Sequence, residues 1–400
     1  MRSLRQSIKK IIFLTVVLLP LIFAFSFIFS VILNVKKIQK NDYDKIYTCL
    51  NDYLKKDKCE VGLAQKDGYF YLDYHYLLEN GLYKPAGKGV GFKNDHPGKL
   101  VYFFGSSEFA FKPPFFKGDF PFVTKVLYDQ LNSYLPKGAQ LINFSMNALD
   151  TFDIEKIAKS AVALKKPDLL IYYDVGASDF EGAYFSCIKN NFKVISPFIK
   201  NLSRLIIFKS PPKMGKANQA ADWFMRAYVD PNALRLLQWA NIIKIPWEPF
   251  TAYNQLIMSY YKNNVMRIVQ LAKEKDIPLI IVAGVSNLES PTFGIYSMSD
   301  AFYDKGMHQK DYSKRVLLLQ QAKDTEIFTG ELCTKSPIYE FLASLEVENV
   351  YVFDAYSKLK SDKVKLGYNL FYDYGHMRPE LHKIIADYIF TYIKEKDILK

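Results

Sequence analysis

Five apolar runs of strand length, at 100–104, 141–144, 169–173, 279–283 and 350–353, recur from residue 100 onward, separated by segments with helical spacing. A strand with one wet face alternates apolar and polar residues, so a continuous apolar run is a strand covered on both faces. Between the runs, Ile154, Ile157, Ala158, Ala161 and Leu164 share one helical face, and Val265, Ile268, Val269 and Ala272 share another. Apolar strands alternating with amphipathic helices predict a three-layer α/β/α sandwich built on a mainly parallel five-stranded sheet. Ligands in such folds gather at the carboxyl ends of the strands. Three polar segments follow their strands directly: Gly105-Ser106-Ser107, Asn143-Phe144-Ser145 and Gly176-Ala177-Ser178-Asp179.

Composition narrows the class. Half of the 400 residues are hydrophobic, with 31 Phe and 29 Tyr, which supplies a sizeable core and excludes a disordered chain. The net charge of +12 fits a lysine-rich solvated surface, or attraction to anionic lipid headgroups or an anionic envelope polymer. No compact Lys/Arg run with interleaved aromatics occurs on one element, so nucleic acid is not an expected partner.

Residues 11–33 form an uncharged, almost wholly apolar run, long enough as a helix to cross a hydrocarbon core of roughly 30 Å. The run exceeds a typical signal-peptide core and no A-x-A-like cleavage site follows it, which favours an uncleaved anchor over a removed leader. Arg2, Arg5, Lys9 and Lys10 precede the span, whereas Lys36, Lys37 and Lys40 are soon diluted by Asp42 and Asp44. This bias predicts a cytoplasmic N-terminus (1–10), a single-pass anchor (11–33), a membrane-proximal stalk and cap (34–98) and an extracytoplasmic domain (99–398). Segment 181–254 carries Trp223, Trp239 and Trp247 and reads as a mostly helical insertion. Of the four cysteines, Cys49 with Cys59 and Cys187 with Cys333 could form two bridges, or all four remain thiols. No Cys/His spacing suits a metal, and no cofactor is called for.

The strand 99–104 delivers Ser107 to an exposed turn, a placement that suits a nucleophile. Asp373-Tyr374-Gly375-His376, near the other end of the chain, offers an acid and a base three residues apart. A turn serine alone is only a turn serine, and a histidine ahead of a helix is usually solvated or capping. Their order and their positions on strand ends give the set its weight. The remaining histidines lack comparable partners, and His382 is expected on the outer part of the last helix.

These blocks, with Asn143-Phe-Ser-Met-Asn-Ala148 and the terminal Asp373-Tyr-Gly-His-Met-Arg-Pro-Glu380, resemble the four conserved blocks of the SGNH/GDSL hydrolase superfamily over roughly residues 99–395. Ser286-Asn287-Leu288, after the fourth run, is a weaker point of similarity. The resemblance implies a catalytic set of Ser107, Asp373 and His376. It also implies an oxyanion hole from the Ser107 N–H, the second block (Ser145 and Ala148, where glycines would stand) and Ser178, which occupies the family's asparagine position. Gly105-Ser-Ser-Glu108 behind an anchor is similar to the D-alanyl transfer protein of teichoic-acid D-alanylation and to exported partners of membrane-bound O-acyltransferases. The expectation is therefore a membrane-anchored extracytoplasmic serine esterase or O-acyltransferase acting on an envelope glycan or polymer. Its partners would be the bilayer and a multi-span O-acyltransferase. The alternative is a non-catalytic envelope scaffold or binding protein that keeps the hydrolase fold. A cytosolic enzyme would require the anchor to point the other way.

Overall fold

The computed structural model describes residues 40–55, 59–66, 69–76, 88–93, 97–106, 120–145, 149–174, 248–290, 297–325, 336–372 and 375–399, with Phe25, Phe109, Asp179, Phe180 and Cys187. Apart from Phe25, the apolar run 11–33 lies outside this set, as does most of the 181–254 segment. Among the described residues no helix is long and apolar enough to cross a membrane.

Helix α1 (Lys40–Lys55) leads into an antiparallel sheet of β1 (Cys59–Lys66), β2 (Tyr69–Tyr76) and β3 (Lys88–Lys93), in the order β1-β2-β3. The chain then enters the main sheet. Its parallel strands are β4 (Lys99–Phe104), β5 (Ala139–Asn143), β6 (Leu169–Asp174), β7 (Leu279–Ala283) and β8 (Val350–Asp354). Helix α2 (Val123–Tyr134) joins β4 to β5, α3 (Thr151–Leu164) joins β5 to β6, and α4 (Glu248–Glu274) precedes β7. Helices α5 (Ser297–His308), α6 (Tyr312–Thr325) and α7 (Ser336–Ala343) lie between β7 and β8, with α8 (Ala355–Ser361) and α9 (Pro379–Glu395) last. The five predicted strands and both predicted helical faces are all present. Helix α4 begins at Glu248, so the final residues of the expected 181–254 insertion belong to a helix of the main domain.

The central strands are almost wholly apolar because each serves two cores. Tyr102, Phe104, Leu170, Tyr172, Leu279 and Ile281 face one, closed by Ile154, Ile157 and Ala161 of α3 and Val265, Ile268 and Val269 of α4. Val101, Phe103, Leu169, Ile171, Tyr173, Ile280 and Val282 face the other, closed by Val123, Leu127 and Leu131 of α2 and Leu381, Ile385 and Ile389 of α9. The period of two along each strand thus sorts the same apolar run into two layers. Helices α2 and α9 are further held by Gln130 Nε2 donating to Asp387 Oδ1 at 2.6 Å and by Tyr134 edge-on to Phe390.

The sheet order is β5-β4-β6-β7-β8. The chain steps from β4 to one side and then returns to the other, so the connections leaving β4 and β5 diverge and open a crevice at their carboxyl ends. The turn after β4 stands at that reversal.

Neither expected cysteine pairing forms. Cys49 is bonded to Cys187, with 5.6 Å between the Cα atoms. Leu50 is buried in the main core and Tyr47 lies tilted against Tyr253 of α4, so α1 is docked on the main domain, which carries Cys49 to Cys187. The side chain of Cys59, and Cys333, lie outside the described residues.

Candidate active site

Strand β4 ends at Phe104 and turns at Gly105, where any side chain would be obstructed. A Cβ there would stand 2.7 Å from the Phe109 ring and 3.2 Å from Ser145 Oγ. The glycine therefore lets the ends of β4 and β5 close on each other. Ser106 is 7% exposed, and its carbonyl accepts the Phe109 N–H at 3.3 Å. Ser106 thus turns inward, one residue before Ser107 in the sequence. Ser107 itself, with Ala148, Ser178 and Asp373, lies outside the described residues. Ser145 and His376 are described, together with the residues that bracket the other four.

Ser145 follows β5 and is fully buried. Its N–H donates to Asn143 Oδ1 at 2.9 Å, so that amide is already committed within its own turn. Its hydroxyl has no hydrogen-bond partner among the described residues. Beyond Ala148, Asp150 caps α3 by accepting from the Phe152 and Asp153 N–H groups, with Asp153 returning a bond to Asp150 N–H. Asp179, which closes the third block, accepts from Thr151 Oγ1 at 2.6 Å, and Asn264 of α4 donates to the same hydroxyl at 3.1 Å. The second and third blocks are thereby tied together at the start of α3. Asp174, at the end of β6, accepts from the Tyr261 hydroxyl. Burial, reinforced by Asp174, holds the Tyr261 and Tyr172 hydroxyls protonated by pushing their pKa values well above the usual range.

His376 is half-buried in the loop before α9. Its carbonyl accepts the Tyr372 N–H at 2.8 Å. Arg378 closes the same loop: its N–H donates to the Leu370 carbonyl, its Nε to the Tyr368 and Phe371 carbonyls at 3.0 Å, and its guanidinium lies over the Tyr372 ring. Pro379 then starts α9 at a position where the missing N–H costs no helical bond. Ser286, Asn287 and Leu288 are buried after β7, and Asn287 Oδ1 accepts the Glu289 N–H, so these residues shape a turn.

His382 is not on the outer part of the last helix. It is fully buried, with Nδ1 facing the Val123 N–H at 3.4 Å and the rings of Phe109, Phe120 and Phe122 edge-on around it. The signal was in the spacing, since His382 shares a helical face with Ile385, Ala386, Ile389 and Ile393. Burial first, and the nearby His376 second, lower its pKa from 6.5 to about 3. The ring is neutral when folded but takes up a proton below pH 6.5 when unfolded. Its contribution to stability is therefore complete above that pH and is lost at up to about 1.4 kcal/mol per pH unit on acidification. Between pH 8 and pH 5 the wild type is expected to lose about 2 kcal/mol that His382→Phe does not lose. Urea unfolding of both proteins across that range measures the difference.

Through His382 and Phe109, two segments far apart in sequence meet: the turn after β4 and the first turn of α9, which follows the loop bearing His376. The fold and this meeting point define an open parallel α/β protein with its candidate site at the carboxyl edge of the sheet.

No known family pattern matches the chain, and no curated protein is similar to it in sequence. Among solved structures, it is similar to a mutant of an acetylxylan esterase from Geobacillus stearothermophilus, with 12% identity and a TM-score of 0.36, over 74% of this chain and 94% of that one. It is also similar to the lipase/acylhydrolase from Enterococcus faecalis, with 16% identity and a TM-score of 0.32, over 74% and 96% of the two chains. A protein of Desulfitobacterium hafniense assigned to the lipolytic G-D-S-L family matches at 12% identity and a TM-score of 0.32, over 74% and 99%.

Proposed function

We propose that this chain is a membrane-anchored, extracytoplasmic serine esterase or O-acyltransferase of the SGNH type, acting on an acyl ester of an envelope glycan or polymer. The observation that carries the reading is the meeting of the β4 turn with the first turn of α9, just after the His376 loop, through Phe109 and His382 at the reversal of strand order. Ser107 Oγ attacks the acyl carbonyl while His376 takes its proton, and Asp373 holds the imidazole in the required tautomer. The tetrahedral intermediate collapses with His376 returning the proton to the departing alcohol oxygen. Water in an esterase, or a sugar or polyol hydroxyl in a transferase, then attacks acyl-Ser107 with His376 again as base, and the acyl–Oγ bond breaks as His376 returns the proton to Ser107 Oγ. With the Ser145 N–H committed to Asn143, the remaining oxyanion donors are the Ser107 N–H, the Ala148 N–H and the Ser178 hydroxyl. The disulfide suits an oxidising compartment, and the net charge of +12 suits an anionic, surface-attached acceptor.

The shorter donor at Ser178 and the committed amide of Ser145 favour one competing reading, a non-catalytic envelope module on the same fold. A fluorophosphonate probe separates the two. The full-length protein should label covalently, Ser106→Ala should label as the wild type does, and Ser107→Ala should not label at all. A correctly folded wild type that fails to label would favour the binding module.

A further inference from the structure

We propose that His382 is a positioning residue for His376: it pins the first turn of α9 to the first turn of α2 and to the turn after β4, and so holds the loop that leads into α9 and carries His376. The inference rests on the reading of His376 as the base.

Three features separate His382 from an ordinary core residue. Its Nδ1 stands opposite the N–H of Val123, the first residue of α2, whose N-cap Phe122 supplies no side-chain acceptor. An orphan donor at the start of a helix is thereby answered from the last helix of the chain. The ring also touches Phe109, which occupies the space left by the missing side chain of Gly105 and packs edge-on against Phe103 of β4 and Tyr173 of β6. The third feature is its place in the chain: His382 lies on the first turn of α9, four residues after Arg378, whose guanidinium and N–H close the loop bearing His376. Helix α2, the turn after β4 and the start of α9 thus share one side chain.

A histidine serves here where leucine would only fill space. The Nδ1 lone pair faces the Val123 N–H, which leaves the proton on Nε2 and fixes the tautomer. The aromatic rings on three sides keep water away and limit rotation of the ring. The loop is closed by Arg378 and seated on the core by Phe371 and Met377, and its far end enters α9, whose first turn His382 fixes. A base displaced by about 1 Å from the nucleophile loses on the order of 10²-fold in rate.

The test uses the full-length protein in detergent and compares the wild type with His382→Leu, which fills the volume without a nitrogen, and His382→Asn, which restores an acceptor near Val123. Backbone hydrogen exchange of residues 368–378 and of 385–395, the rate of fluorophosphonate labelling and the melting temperature are read together. In His382→Leu the loop amides of Tyr372 and Arg378 should exchange at least tenfold faster and labelling should slow at least tenfold, while exchange across 385–395 is unchanged. Partial recovery of both in His382→Asn is expected. Loop exchange and labelling equal to wild type in His382→Leu would overturn the proposal. So would a uniform rise in exchange along the whole of α9, because that is the mark of general destabilisation. A wild type that does not label, with loop exchange still raised in His382→Leu, would defeat the serine-hydrolase reading while upholding the control of the loop by His382.

Discussion

His376→Ala is expected to slow acylation of Ser107 by about four orders of magnitude, equivalent to roughly 5.5 kcal/mol of transition-state stabilisation. A serine hydroxyl is a weak nucleophile until a base removes its proton in the attack. The only other histidine at this end of the sheet among the described residues is His382, which is held neutral and enclosed by aromatic rings and so cannot substitute. His376 by contrast is half-buried, in a loop fastened at Tyr372 and Arg378. The substitution should therefore leave the melting temperature within a few degrees of wild type while turnover of a short-chain p-nitrophenyl ester falls to near background. The double variant with Ser107→Ala should be no slower than either single variant, because groups that act as one unit are not additive. Turnover within tenfold of wild type in His376→Ala would place the base elsewhere.

What could be read from the sequence followed from how many faces of an element are buried. A strand covered on both sides has to be apolar at every position, and Leu100–Phe104 and Leu279–Ala283 were recognisable for that reason alone. The small sheet was harder to see because its strands mix Tyr, Lys and Gly. Even so, it held a local signal, since only Asp67-Gly68 separates the paired residues Lys66 and Tyr69, and Asp-Gly between alternating apolar residues is a strong hairpin cue. The position of Ser145 was legible as the residue directly after the run 141–144. The commitment of the Ser145 N–H to Asn143 was not, since it depends on how one turn closes. His382 lies inside despite its polarity because its spacing with Ile385 and Ile389 puts it on the buried face of α9. The cysteine pairing was beyond reach for a different reason. It is fixed by the docking of α1 on the main domain, and proximity in sequence had suggested Cys59.

Replacing Cys49 and Cys187 together by serine is expected to cost about 3–5 kcal/mol of stability. The bond joins residues 138 apart, and the chain-entropy estimate for a loop of that length is about 5 kcal/mol, an upper figure because compact unfolded chains lose less. Urea unfolding of the full-length protein with and without reductant measures it, and the double variant should be indifferent to reductant. The same bond bears on the site. It fastens α1, the first described helix after the apolar run, to Cys187, eight residues beyond the Asp179 that clamps the third block to α3. Phe180, between them, is buried in the same core as Cys187. Loss of the bond frees one end of the segment that follows the proposed Ser178 donor, whereas the clamp from Asp179 to Thr151 still holds the other. Labelling of Ser107 should accordingly slow in the double variant under conditions where the protein is still fully folded. Equal labelling rates with lowered stability would confine the disulfide to a structural role and leave the third block to Asp179 alone.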